Sequence, residues 1–532
     1  MRLDKVYIDG FKNLKQVEVD FDENRLTTVV IGQNGAGKSN LIEAIAQVFR
    51  WADLRRHEPR FRYRVDYSIK PRAGAVALAT RVTLSNVPGE PAIRIDGQEI
   101  KRTEFEKNKD DWFPDLVFGY YSGSGRRLEE TFDRHQANYY RTIARNNDEA
   151  ACYQALVARR LFYCRPVHGV LALMALFAFP ETKVGRELQA RLGITGFHSA
   201  LVLFREPWYA KGGKAAKASD AAIFWGAEGP AGRTAAKLKE LAFHPFGLAG
   251  NAIDDYRDKK QDEAQYATFL KDVDALRAFG SEFSDDGDMF YALEALDVSD
   301  LIREVMVWVT RDNDSSGDVG FSDLSDGERQ LLMVLGLIRI SRGKRVLFLL
   351  DEPDTHLNPH WQHSYLDLIK EWTGIAADAD KSHIVLTTHN PLTISALTQR
   401  DVRVMHTDKA TGLIQVTAPF VDPKGLGISG VLTDIFGMPS TLDRPTQELI
   451  DKRNKLARLA DLTVAQAQQL EIINDELRKL GFMYQERDEL YREFLRKLDD
   501  VELADAGPLS PEELERRDET TREIVEQLLK KP

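Results

Sequence analysis

An α/β head with a mostly parallel core sheet and an antiparallel lobe is the fold class this sequence predicts, with a helical insertion inside it and a helical C-terminal region after it. Three observations predict it. The glycine-rich loop Gly32-Gln33-Asn34-Gly35-Ala36-Gly37-Lys38-Ser39 falls between an apolar strand, 25–31, and an amphipathic helix, 40–49, the strand–loop–helix setting that turns such a loop into a phosphate cradle. The apolar run 345–350 ends in Asp351, as suits a central parallel strand covered on both faces. A third apolar run, 383–388, delivers His389 to the same end of the predicted sheet.

The elements follow in order. The opening stretch 6–21 reads as the first strands, and the stretches 75–85 and 92–100 as further strands of an antiparallel lobe. Residues 1–130 are expected to form the N-terminal lobe of the head, and 131–298 a mainly helical insertion without a sustained heptad repeat. The head resumes over 299–420, and 421–532 is helical. There Leu470, Ile473, Leu477 and Leu480 recur at helical spacing before Gly481. Tyr491, Phe494, Leu495 and Leu498 continue the pattern, and Ser510-Pro511 starts a last helix with a cap and an N1 proline.

Composition bounds the setting. The 532 residues are 43% hydrophobic and 29% charged with a formal net charge of −11, a balance against wholesale coating of nucleic acid or acidic membranes. Cys152 and Cys164 match no metal spacing and are expected to be reduced and internal. The N-terminus lacks a signal-peptide core, and the longest apolar run, 169–179, is too short to span a bilayer. A cytoplasmic chain with no membrane partner is expected.

The chemistry follows from the motifs. Backbone amides of Gly32, Asn34, Gly35, Ala36 and Gly37 are expected to converge on phosphate oxygens at a helix N-terminus, with Asn40 beside them. Lys38 is expected to reach the terminal phosphates of ATP, with Ser39 and Asp351 holding Mg²⁺. Glu352 is the expected general base and His389 a probe of the γ-phosphate. Leu324-Ser325-Asp326-Gly327-Glu328 precedes an apolar helix carrying Leu331, Leu332, Leu335 and Ile338, so Ser325 is the expected N-cap.

Ser325-Asp326-Gly327-Glu328 resembles the signature of ABC-type ATPases, which implies that each site is completed in trans by a second copy. A homodimer or a higher even-numbered assembly is then expected. The opening around Phe11-Lys12-Asn13, the stretch 351–360 and Thr388-His389-Asn390-Pro391 resemble the RecF/SMC/OLD branch of AAA-family ATPases. That resemblance places Lys12 and Asn13 near the base or ribose. Tyr120-Tyr121-Ser122-Gly123 with Arg126-Arg127, Arg165-Pro166 and Phe224-Trp225-Gly226-Ala227 resemble segments of the ATPase in Septu-type antiphage systems and related retron systems. This implies a separate HNH nuclease as partner. A RecF-like clamp acting directly on DNA is the alternative. The strand-end glutamate and Asp-x-Asp pair of an OLD-type nuclease are not found after His389, and Asp378 and Asp380 precede the histidine strand.

Other signals were weighed. Asp312-Asn313-Asp314, continuing to Asp323, mimics a calcium loop but follows a strand-like stretch, 304–310, so a hydrophilic turn is expected. His356, His360 and His363 do not share one helix face if Asn358-Pro359 starts the helix. Arg50 to Arg72 mixes basic residues with Trp51, Phe61 and Tyr63, which fits either a nucleic-acid surface or a charged sheet edge.

Overall fold

The structure, a computed structural model, describes residues 1–532 apart from 71–77, 145, 180–191, 208–223, 252–261, 313, 342–343, 373–381, 409–410, 460–461, 483–510 and 530–532. Tyr491, Phe494, Leu495, Leu498, Asp378, Asp380 and Arg72 lie outside the described residues, as do the side chains of Leu335 and Ile338. The chain divides into two compact units, one of Met1–Ile31 with Gly37–Thr393, the other of Gly32–Ala36 with Ile394–Pro532.

The first unit is built on a parallel sheet. The strand Val346–Asp351 pairs in parallel with His383–Thr387 on one side and Leu116–Tyr121 on the other. Thr27–Gly32 and Leu161–Tyr163 extend it outward. Every residue of Val346–Asp351 and of His383–Thr387 is buried, the signature of a sheet covered on both faces. The helix Lys38–Leu54 lies over it, burying Leu41, Ile42, Ile45, Val48 and Phe49.

An antiparallel sheet runs in the order Val17–Asp20, Arg2–Asp9, Arg62–Ile69, Thr80–Ser85, Ile93–Ile95, Gln98–Glu99. Its strands alternate, with Tyr63, Val65, Tyr67 and Ile69 buried on one face of Arg62–Ile69, as period-2 patterning requires. This bears on the Arg50 to Arg72 segment. Trp51, Phe61 and Tyr63 are only 5%, 5% and 0% exposed, so their rings pack the core and cannot stack on bases. Arg64 is met by Asp66 and Glu90, both at 3.3 Å, and Arg55 by Glu106 at 2.6 Å. Arg62–Ile69 pairs with Arg2–Asp9 on one side and Thr80–Ser85 on the other, so these residues form an ion-paired outer face of an interior strand rather than the expected sheet edge.

The segment 131–298, expected to be mainly helical, also carries much of a third sheet. Its order is Phe246–Asn251, Asp262–Leu270, Ile194–Arg205, Ile302–Arg311, Asp314–Gly320, all antiparallel. The turn expected after Arg311 is therefore the tip of a hairpin, because Trp308 and Val309 register with Gly320 and Val319. A strand precedes it where a calcium loop needs a helix. The apolar run 169–179 belongs to the helix Pro166–Ala178, buried from His168 to Leu176, as an all-round hydrophobic helix should be. Among the described residues no helix is long and apolar enough to cross a membrane. Cys152 and Cys164 are buried and free.

In the second unit, Val402–Thr407 and Ile414–Thr417 pair antiparallel. Helices Arg444–Ala457 and Val464–Lys479 follow. Gly481 has φ +90° just past the second, the left-handed residue that ends a helix. The last helix, Pro511–Leu529, starts at the predicted proline.

Candidate functional site

The glycine loop leaves the strand Thr27–Gly32 and enters the helix Lys38–Leu54 through residues that only glycine holds cheaply. Gly35 and Gly37 have φ +85° and +95°, and Gly37 is the helix N-cap without a side chain to fill the first-turn amides. Those amides are left for an anion. Within the second unit, Ala36 N donates to Gln33 O at 3.1 Å and closes the turn, while Asn34 and Gly35 are exposed.

Lys38 is buried, and burial pushes its ammonium below the ordinary lysine range against the opposing pull of Glu352 and Asp351. Ser39 Oγ donates to Asp351 Oδ1 at 3.1 Å, and Thr387 Oγ1 donates to the same oxygen. A hydroxyl and a carboxylate at one point are the hard oxygen donors that magnesium takes, so the residues present fit Mg²⁺ and a nucleotide triphosphate. Among the described residues, no cluster of three or more His, Cys, Asp or Glu could hold a metal by itself. A site completed by phosphate oxygens is consistent with that.

Glu352 follows in a left-handed conformation, φ +52°, which costs a non-glycine residue about 1–3 kcal/mol and clusters at functional sites. Its amide donates to Thr387 O at 3.1 Å, which helps hold the strained turn. His389 Nδ1 lies 3.2 Å from Glu352 Oε1, so the predicted base and the predicted probe are neighbours. Lys12 and Asn13 reach the same helix: Lys12 pairs with Glu43, and Asn40 Nδ2 donates to Asn13 Oδ1 at 2.7 Å.

Sequence reasoning missed Asp354. It is 1% exposed and accepts hydrogen bonds from Thr388 at 2.7 Å and from Thr393, tying the histidine loop to the loop that carries Glu352. Burial pushes both Asp351 and Asp354 above the ordinary carboxylate range. A raised acid pKa means the folded chain holds protons that the unfolded chain has released. Its penalty is absent below the ordinary value, 3.8, grows as pH rises from there toward the raised one, and is full above it. In Asp351→Asn the amide oxygen can still accept from Ser39 and Thr387. Nucleotide-free Asp351→Asn is therefore expected to melt on the order of a few degrees above wild type at neutral pH, with the gap closing toward pH 4, while Mg²⁺-dependent ATP binding is lost. Thermal melts across pH, with and without Mg·ATP, check both halves.

The signature turn sits at the start of the helix Asp326–Ile340. Ser325 and Asp326 are exposed, and Gly327 is buried against the loop after Glu352: a Cβ there would lie 2.5 Å from His356 O. Ser325 Oγ accepts from Glu328 N at 3.3 Å, and Glu328 Oε2 accepts from Ser325 N at 2.7 Å. This is a capping box, legible as Ser-x-x-Glu. Glu328 thus shapes the turn, and Arg311 holds it at 2.9 Å. The three histidines do not form one ligand face. Asn358 caps the helix Pro359–Trp372 through Trp361 N at 2.9 Å, so His356 lies before the helix begins.

Two family models match the chain: "AAA ATPase domain" over residues 1–154 and "AAA domain, putative AbiEii toxin, Type IV TA system" over residues 233–395. Both models are of AAA-type ATPase domains, and with Asp351-Glu352 and His389 following neighbouring strands of one parallel sheet they define an ABC/AAA-type ATPase.

Particular relatives can then be named. The chain is 49% identical over 45 residues to the DNA replication and repair protein RecF of Lactobacillus acidophilus, covering 8% of this chain and 12% of that one. It is 26% identical over 165 residues to the Septu protein PtuA of Bacillus mycoides, covering 30% of this chain and 22% of that one. These matches span less than a quarter of either relative. Among solved structures, an Smc head bound to the C-terminal winged-helix domain of ScpA is 14% identical over 78% of this chain and 97% of that one, with a TM-score of 0.31. A RecF–ATP structure is 13% identical over 73% of this chain and 92% of that one, with a TM-score of 0.25.

Proposed function

We propose that this chain is the ATP-binding and ATP-hydrolysing subunit of an antiphage defence complex, in which ATP-dependent pairing of two copies controls a separate effector, an HNH-type nuclease. The observation that carries the pairing is the exposure of Ser325 and Asp326 at the N-terminus of a fifteen-residue helix, where amides and helix dipole favour an anion brought by another molecule. Magnesium-bound ATP would supply the γ-phosphate as electrophile. Lys38 and the loop amides hold its charge, and Ser39 with Asp351 fix the metal's place. Glu352 takes the proton of the attacking water, and His389, hydrogen-bonded to Glu352, orients that carboxylate. Ser325 of one copy faces the Lys38 site of the other, so neither copy has a whole site alone.

The antiphage assignment is supported by the similarity to PtuA and by the Tyr120-Tyr121-Ser122-Gly123 and Arg165-Pro166 segments. The short RecF match favours a second reading, an ATP-governed clamp on DNA. Purification from the native operon separates them. A stoichiometric nuclease subunit supports the first reading. A lone dimer retained on gapped DNA only with ATP supports the second and overturns the first.

A further inference from the structure

A cavity of about 560 Å³ opens beside the signature helix, in the same unit as Lys38, Asp351, Glu352 and His389 but lined by none of them. Its wall is made of the loop Tyr121–Arg126 and of Tyr163 to Pro166, which the ATP chemistry leaves unused, and of one side of the signature helix from Asp326 to Met333. The volume lies within the 300–1,000 Å³ range of small-molecule sites.

Three features give it a chemical preference. Tyr121 and Tyr163 bring aromatic rings to the lining, and the Tyr121 ring lies so close to Gly123 that a Cβ there would fall 2.2 Å from its hydroxyl. The glycine lets the loop fold onto the ring. Gln330, 3% exposed, spends its Oε1 on the His356 amide at 3.3 Å, while its buried Nε2 lies beside the Tyr120 phenol without a well-formed hydrogen bond. A buried amide donor in that condition costs stability and is expected to have a use. Finally, Arg126, Arg165 and Arg329 reach the cavity. Two of them pair with exposed or half-buried carboxylates close by in sequence, Arg126 with Glu129 at 3.0 Å and Asp133 at 4.0 Å and Arg329 with Asp326, surface pairs worth little against a phosphate.

We propose that this cavity is a second ligand site, separate from the ATP cradle, that takes a nucleoside monophosphate. The base lies against Tyr121 and offers an acceptor edge to Gln330 Nε2, as carboxamides meet base edges elsewhere, and the phosphate is taken by Arg126. Gln330 is also the link to catalysis, a consequence that rests on the function proposed above. It sits on the signature helix and holds the His356 backbone, in the loop that begins at Glu352. Occupancy therefore acts on both halves of the ATP machinery.

The test uses the full chain carrying Lys38→Ala, so that the cradle contributes little, titrated by calorimetry with AMP, GMP, CMP and UMP, their nucleosides, and inorganic phosphate. At least one monophosphate is expected to bind one per chain. Tyr121→Ala and Gln330→Leu are each expected to weaken it by about tenfold or more. Arg126→Glu, at an exposed position that cannot unfold the core, weakens the monophosphate but leaves the nucleoside unchanged. Absence of binding by all four at millimolar concentration overturns the proposal. So does binding indifferent to these substitutions, or phosphate alone binding as tightly as the nucleotide. Because hydrolysis and pairing are not read, failure here leaves the ATPase assignment standing, and failure of that assignment leaves this one.

Discussion

Glu352→Gln is expected to bind ATP within about threefold of wild type and to lose about 10²–10⁴ in turnover, the ordinary contribution of a positioned general base. The amide keeps the shape of the carboxylate and can still accept from His389, but it cannot take the proton of an attacking water. The backbone there is left-handed at φ +52° and tied by its amide to Thr387 O, and this restraint is untouched by the change. With hydrolysis blocked, the nucleotide-bridged pair should persist, so sedimentation velocity in saturating ATP should show dimers. Turnover near wild type would move the base elsewhere, and a monomer under these conditions would remove the bridging nucleotide.

Ser325→Arg is expected to cost about 10²–10³ in turnover, the scale on which one preorganised donor at a phosphoryl or acyl centre acts, with ATP affinity of the isolated chain unchanged. Part of any effect will be local. The hydroxyl caps the helix through Glu328 N, and a lost N-cap costs about 1 kcal/mol. Ser325→Thr keeps the cap and the hydroxyl, so it should restore most of the turnover. Arginine disables the face presented to a partner while leaving Lys38, Ser39, Asp351 and Glu352 in place. A steady-state assay of both variants beside wild type separates a stability loss from loss of a contact made across copies.

Much of the site was legible because its parts are local. A glycine loop between strand and helix, an all-apolar strand ending in Asp351-Glu352, and a second such strand ending at His389 each announce themselves within ten residues. Strand pairing then brings Asp351-Glu352 and His389 to one end of the sheet, where Asp351 registers with Thr387. What was not legible is long-range. Asp354 acts through Thr388 and Thr393, more than thirty positions away, and no local pattern marks an aspartate for that. The sheet through the insertion was hidden for a different reason. Ile194–Arg205 carries three register shifts against Ile302–Arg311, between Ile194 and Gly196, Phe197 and Ser199, and Leu203 and Phe204, and such irregularities break the alternation by which a strand is read. Ser325 was readable as the N-cap, and Glu328 three positions on completes the capping box with it, a role that its place in a signature-like motif does not announce. The calcium-like spacing after Arg311 was readable as a turn because a strand-like stretch precedes it, and hydrophilic residues at a hairpin tip need only be exposed.

The direct measurement of a shared site is complementation between disabled copies. Lys38→Ala and Ser325→Arg chains, each nearly inert alone, are mixed in equal amounts and assayed for ATP turnover. If the cradle of one copy works with the serine turn of another, half the pairs contain one intact site, and turnover should return to roughly a quarter of wild type. Turnover that stays at the level of the separate variants, with mixed pairs shown to form, would mean that each chain hydrolyses ATP with its own serine turn or with none.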